Sequence, residues 1–171
     1  MMITILSAIG MIVLNVIFES VVFIKINLFG IRPDTVIAVV IAVALTGGSK
    51  QGALYGAFCG AAIDVLFSRY IGMYTLPYMI IGALAGIYYN KYYADNKLFP
   101  VLLALPAYVL KEFIMGVQLS IAGVDFSFFH ALWRYELPSA VLTAALTAAV
   151  YVFLRRQRSE QIRRARLERS I

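Results

Sequence analysis

Residues 50–68 read KQGALYGAFCGAAIDVLFS and place a glycine at every fourth position, Gly52, Gly56 and Gly60, before the next step of four reaches Asp64. Positions four apart lie nearly above one another on a helix, so the segment predicts a helix whose smooth face ends in a carboxylate. Small residues let helices approach closely in lipid, and an acid at membrane depth normally has a partner or a function. We therefore expect this helix to be the packing centre of the molecule.

The composition belongs to the membrane class of proteins. The chain has 171 residues, is 62% hydrophobic and has a mean hydropathy of +0.85, which is far from an ordinary soluble domain. Its net charge is +6, and most of it comes from seven arginines and two glutamates beyond residue 154. Such a segment indicates the cytoplasmic side of an anionic membrane before it indicates nucleic acid. The sequence thus predicts a membrane domain over residues 1–154 and a basic cytoplasmic tail over residues 155–171.

The apolar runs predict an all-α integral membrane protein with about six transmembrane helices. These runs cover residues 2–24, 35–46, 50–68, 71–89, 98–121 and 137–154. The second run is short, since with Pro33 and Asp34 it gives about 14 residues and roughly 21 Å of helix. It therefore either crosses a thinned bilayer or dips into it as a hairpin. With six crossings, the positive-inside rule places both termini in the cytoplasm.

Charged residues within the apolar runs form the first candidate site. The predicted polar network comprises Glu19, Arg32, Asp34, Asp64, Lys111 and Glu112. Glu19, Asp64 and Lys111 fall at similar depth on helices that run in the same direction, so we expect Lys111 to pair with Asp64 or Glu19. The possible interpretations are a buried ion-pair network that fixes helix register, a small polar pocket open to the outside, or a docking face for a partner's transmembrane helix. A proton relay is disfavoured, because nothing connects these groups to the inner face.

The small residues form a second candidate site, a helix-packing groove of Gly52, Gly56, Gly60, Gly82 and Gly86. The spacing of four fits either internal packing or the binding of a partner helix. A further stripe at fours, Ser139, Thr143, Thr147 and Tyr151, also suits helix contacts. The tail contributes Arg155, Arg156, Arg158, Arg163, Arg164 and Arg166. We expect these arginines to meet the lipid surface as a topology signal, with docking of a cytosolic protein as the alternative.

Nothing in the sequence predicts catalysis. It contains no nucleophile elbow, no phosphate-binding glycine loop and no spaced carboxylate pair in a polar context. One cysteine and one histidine cannot supply a metal-ligand set. We therefore expect a protein that is not an enzyme, has no cofactor and binds no nucleic acid.

The order of these motifs resembles the MreD family of rod shape-determining membrane proteins. The resemblance rests on residues 30–34 (GIRPD), the glycine series that ends at Asp64, residues 72–74 (GMY) and the Gly82/Gly86 pair. It implies a scaffold in the bacterial cytoplasmic membrane that supports side-wall peptidoglycan synthesis during cell elongation. The implied partners are an MreC-like bitopic protein and, indirectly, MreB, RodA and a class B penicillin-binding protein.

The same resemblance implies a fold similar to the substrate-binding membrane subunit of ECF vitamin transporters, which supplies an alternative function. Two features count against that alternative. Such subunits often dock through an Ala-xxx-Ala face on the first helix, whereas here Ala8 is followed four residues later by Ile12. The loop over residues 25–32 is also short for a lid over a bound vitamin.

Overall fold

Five α-helices, and no strand, form the regular structure of the residues that the computed structural model describes. Those residues are Gly10, 33–68, 70–89, 98–123 and 137–168, with side chains left out at 137 and 155–168. The helices are α1 (Thr35–Gly47), α2 (Ser49–Phe67), α3 (Thr75–Ala85), α4 (Phe99–Ile121) and α5 (Leu137–Glu168). A 3-10 turn, Gly86–Tyr88, extends α3. The all-α prediction is confirmed for this part of the chain.

Helix α1 occupies the centre of the bundle, so the expectation that residues 50–68 form the packing centre is wrong. Nine of the 13 residues of α1 are buried, from Thr35 to Leu45, and α1 packs against each of the other four helices. The reason is that its sequence, TVIAVVIAVALTG, is apolar around the whole circumference, and such a helix is buried on all sides. Helix α2 instead leaves an apolar face exposed at Leu54, Phe58 and Val65.

The first three helices run alternately up and down. Asp34 starts α1 by accepting a hydrogen bond from the Ile37 N–H at 2.8 Å, and Gly48 alone joins α1 to α2. Gly48 has a φ of +91°, a conformation that other residues rarely adopt. We call the two ends of the bundle the Asp34 end and the Gly48 end. Tyr88 lies edge-on to Phe99 with ring centroids 5.2 Å apart, which places the start of α4 with the end of α3.

Helix α4 is the one helix among the described residues that is both long and apolar enough to cross a membrane unaided. Helix α1, the stretch Thr75–Tyr88 and the stretch Pro138–Leu154 are apolar but shorter. The count of about six spans therefore stays a prediction, and the first predicted run, residues 2–24, lies outside the described residues apart from Gly10. The second run is short, as predicted, and protein surrounds it, so its length need not match a bilayer.

Helix α5 carries the predicted polar stripe on its inner face. Ser139, Thr143, Thr147 and Tyr151 are all buried, and α5 packs against α1 and α4. The prediction that this stripe makes helix contacts is confirmed. The helix then continues without interruption through residue 154 to Glu168. The predicted boundary between membrane domain and tail therefore falls inside one helix.

Candidate functional site

A lysine held between two carboxylates lies inside the Asp34 end of the bundle. The Lys111 Nζ is 2.9 Å from an Asp34 carboxylate oxygen and 2.8 Å from an oxygen of Glu112. Asp34 and Lys111 are only 4% and 6% exposed, and the side chain of Glu112 is 15% exposed. The ammonium also lies 4.6 Å from the centre of the Tyr108 ring, which is a cation–π distance. We call these four residues the lysine cluster.

The position of Asp34 is fixed from three helices. One carboxylate oxygen caps α1, while the other accepts hydrogen bonds from Lys111 and, at 2.8 Å, from the Tyr78 hydroxyl on α3. The Asp34 N–H donates to the Thr143 hydroxyl on α5 at 2.9 Å. Because a buried carboxylate is costly unless it is paired and hydrogen-bonded, these contacts explain how Asp34 is tolerated there. They join α1, α3, α4 and α5 at one point.

Asp64 forms a separate site, and the expected pairing of Asp64 with Lys111 is wrong. Its carboxylate accepts hydrogen bonds from the N–H groups of Gly72, Tyr74 and Thr75, at 2.9, 2.9 and 3.0 Å. The Thr75 hydroxyl donates a fourth at 2.6 Å. Asp64 therefore binds the otherwise unpaired N–H groups at the start of α3, where a negative charge also favours the helix dipole. These local donors satisfy it without a lysine.

The remaining members of the predicted polar network cannot be placed. Glu19 and Arg32 lie outside the described residues, so the alternative pairing of Lys111 with Glu19 stays a prediction. The structure does bring Asp34, Lys111 and Glu112 together. In the part of the chain that the structure describes, no group of three or more histidine, cysteine or acidic residues could hold a metal ion.

The glycine groove is filled by the protein's own α3. A Cβ on Gly52 would come within 2.5 Å of the Gly82 carbonyl oxygen, and a Cβ on Gly60 within 2.5 Å of the Thr75 Cα. A Cβ on Gly56 would overlap the Tyr78 carbonyl group. The two backbones are therefore in direct contact along the groove, which only hydrogen in place of a side chain permits.

Gly82 and Gly86 complete the same interface from the side of α3. A Cβ on Gly82 would overlap the Gly52 carbonyl group, and one on Gly86 would overlap the Ser49 backbone. The five glycines thus serve internal packing. The interpretation that a partner helix binds in this groove is wrong, because α3 already occupies it.

An apolar groove opens instead between α3 and α4, towards the Gly48 end. Its volume is about 260 Å³, and its lining includes Leu84, Ile87, Leu103, Pro106, Ala107 and Leu110. Pro106 lies inside α4, where a proline cannot donate a backbone hydrogen bond and disturbs the local packing of the helix. The groove has the dimensions and polarity to accept apolar side chains.

Sequence reasoning missed three polar residues that complete these sites. Tyr78 and Thr75 sit in the first turn of α3, and neither carries a spacing signal. Thr143 was recognised as part of the polar stripe but not as the acceptor for Asp34. No capping pattern links Asp64 to α3, because a capping side chain bonds an N–H two or three residues further on, whereas Asp64 precedes Thr75 by 11 residues.

The comparisons with known proteins give one match. A family model described as rod shape-determining protein MreD matches residues 1–157. Neither a curated protein nor a solved structure matches the chain. The likeness to the ECF transporter subunit therefore stays a prediction.

Proposed function

We propose, on the premise that this chain belongs to the MreD family of rod shape-determining membrane proteins, that it is a non-enzymatic scaffold of the bacterial cell-elongation machinery. It holds the transmembrane helix of an MreC-like bitopic protein and, through that protein, supports MreB, RodA and a class B penicillin-binding protein in side-wall peptidoglycan synthesis. The observation that carries this proposal is the family match over residues 1–157.

The internal contacts support a scaffold over a solute binder. The lysine cluster uses its charges within the bundle, since Lys111 pairs with both Asp34 and Glu112. Asp64 is likewise saturated by donors from residues 72–75. Together these polar groups stabilise the relative positions of all five described helices, which suits a rigid platform that presents its outer faces to other proteins.

The apolar groove between α3 and α4 is the face that we assign to the partner's transmembrane helix. The glycine groove is closed by α3, so a partner needs another concave surface. The groove is apolar and open, with Leu84 and Ile87 about half exposed on its rim. Apolar side chains of a bitopic helix fill such a surface, and association in lipid depends on close van der Waals packing.

We place the protein in the bacterial cytoplasmic membrane with its Gly48 end towards the cytoplasm. Exposed Lys50 lies at this end, and α5 leaves the bundle there with its arginines. The positive-inside rule favours that orientation. The Asp34 end then faces outward, and both termini lie in the cytoplasm if the chain crosses about six times.

The test is co-purification of the full-length protein with an MreC-like protein expressed in the same cells, combined with cell shape after depletion. Ala107 is nearly buried and lines the groove, so Ala107→Leu adds volume into the groove and should lower recovery of the partner at least about threefold. Ala61 lies on the exposed face of α2. Ala61→Leu makes the same change there and should leave recovery unchanged.

Two results would count against the proposal. Normal rod shape after depletion, with no MreC-like protein recovered, would overturn the scaffold function itself. Loss of the partner in Ala61→Leu but not in Ala107→Leu would keep the scaffold function and move the docking face to α2. The melting temperature of each variant is measured in detergent, and recovery of the partner is compared only if both variants melt close to the unaltered protein. This control separates misfolding from lost binding.

A further inference from the structure

Helix α5 is a continuous rod of 32 residues, longer than α4 with its 23 residues. The apolar run of residues 137–154 ends at Leu154, whose side chain packs against the core, and the helix continues to Glu168. That leaves about 14 further residues, or roughly 21 Å of helix. After Pro138 the sequence contains no glycine or proline, the residues at which helices usually kink. The extension therefore continues in the direction that the packed part of α5 sets.

The extension is not built to lie flat on lipid. An interfacial helix needs an apolar face that inserts among the acyl chains. Residues 155–168 contain six arginines and two glutamates, and their apolar members are only Ile162, Ala165 and Leu167. With a net positive charge and so little apolar surface, the extension is typical of a solvated helix that recognises acidic groups.

The arginines fall into two groups by distance from Leu154. Arg155, Arg156 and Arg158 lie within about 6 Å along the helix axis, which is inside the headgroup layer. The second group, Arg163, Arg164 and Arg166, lies roughly 13–18 Å from Leu154 along the axis. A helix tilt of about 20° shortens these distances by less than a tenth. At physiological salt the Debye length is about 8 Å, so lipid charges attract the second group weakly.

We propose that Arg163, Arg164 and Arg166, the distal arginines, bind an acidic surface of a cytosolic protein, whereas Arg155, Arg156 and Arg158, the proximal arginines, contact anionic lipid headgroups. This assignment needs the membrane location of the family but not the groove partner or the scaffold function. The rod holds the distal arginines at a fixed distance from the membrane, which lowers the entropic cost of binding relative to a flexible tail.

The geometry is tested with spin labels on the full-length protein in nanodiscs of phosphatidylglycerol and phosphatidylcholine, in a Cys59→Ala background. Labels at Val152 and Ala165 should be about 20 Å apart, the rise of a continuous helix. The label at Ala165 should be accessible to a water-soluble paramagnetic reagent and protected from oxygen dissolved in lipid. A shorter distance, or a label at headgroup depth, would overturn the proposal in favour of a lipid-bound tail.

Binding is tested with a fluorescent polyglutamate peptide as the acidic probe and the same nanodiscs. Arg163→Gln/Arg164→Gln/Arg166→Gln should weaken peptide binding at least about tenfold. The matched triple Arg155→Gln/Arg156→Gln/Arg158→Gln removes the same charge and should weaken it less than about threefold, because lipid already occupies those side chains. Equal losses in both triples, or no binding by the unaltered protein, would overturn the proposal. Both triple variants should still co-purify with the MreC-like protein, which would show that binding by the tail is independent of the proposed scaffold function.

Discussion

Gly56→Ala is expected to destabilise the protein even though alanine is the better helix former. In a helix interior the change from glycine to alanine gains up to about 1 kcal/mol. At this position the new Cβ would overlap the Tyr78 carbonyl group and lie 3.1 Å from the Met79 nitrogen. Ordinary contact is about 3.5 Å or more, so α2 and α3 must separate by roughly 1 Å.

The separation spreads along the interface, since Gly52 and Gly60 make backbone contacts of the same closeness. Overpacking typically costs about 1–3 kcal/mol, and the upper end of that range applies here because two backbones in contact cannot relax by changing a rotamer. After the helix gain is subtracted, the net loss in the free energy of unfolding is about 2 kcal/mol. Gly56→Leu, with a larger side chain, should prevent folding or assembly altogether.

The assay is thermal unfolding in detergent, followed as the loss of the monodisperse peak in size-exclusion chromatography. Ala61→Val serves as the matched control, because it adds methyl groups to the exposed face of the same helix. Its melting temperature should stay close to that of the unaltered protein. If Gly56→Ala melts at or above the unaltered protein, the close contact between the two backbones does not exist.

Three further predictions concern the polar sites, each read as a melting temperature. Lys111→Met alone should cost about 3–5 kcal/mol because it leaves the buried Asp34 carboxylate without its cation, whereas Asp34→Asn should cost less because Glu112 still pairs with Lys111. The double variant should recover part of the Lys111→Met loss, and additive losses would refute the pairing. Asp64→Ala should cost at least as much as Asp34→Ala, because four donors lose their acceptor. Thr143→Val should cost about 1–2 kcal/mol more than Thr147→Val, whose hydroxyl bonds only within α5; equal losses would contradict this.

The close approach of α2 was predictable because glycine spacing reports directly on backbone contact. Gly52, Gly56 and Gly60 do face another backbone, as the spacing predicts. The glycine series alone does not identify the helix that packs against it, since a small-residue face fits any helix that can lie against it. The complementary spacing of Gly82 and Gly86 on α3 was the available signal, and the antiparallel match of the two sets identifies the pair.

The packing centre was misjudged because the glycine series and Asp64 were taken to mark it, whereas both report only on contact with one neighbouring helix, α3. Helix α1 is 13 residues long, which a hydropathy argument treats as a marginal span. The same residues lack a polar face, and that property identifies a helix surrounded by protein. The predicted pairing of Asp64 with Lys111 was wrong for a different reason. It was based on their similar depth along helices that run in the same direction, whereas the donors that satisfy Asp64 lie at residues 72–75, only 8–11 residues further along the chain.

The enclosed position of α1 also governs the order in which a newly made chain can mature. The ribosome delivers α1 before residues 138–154, which cover one of its sides and bring Thr143 to Asp34. Until then the apolar surface of α1 is open to the insertion machinery. A chain that stalls before residue 138 therefore leaves that side of α1 uncovered and Asp34 without its Thr143 partner.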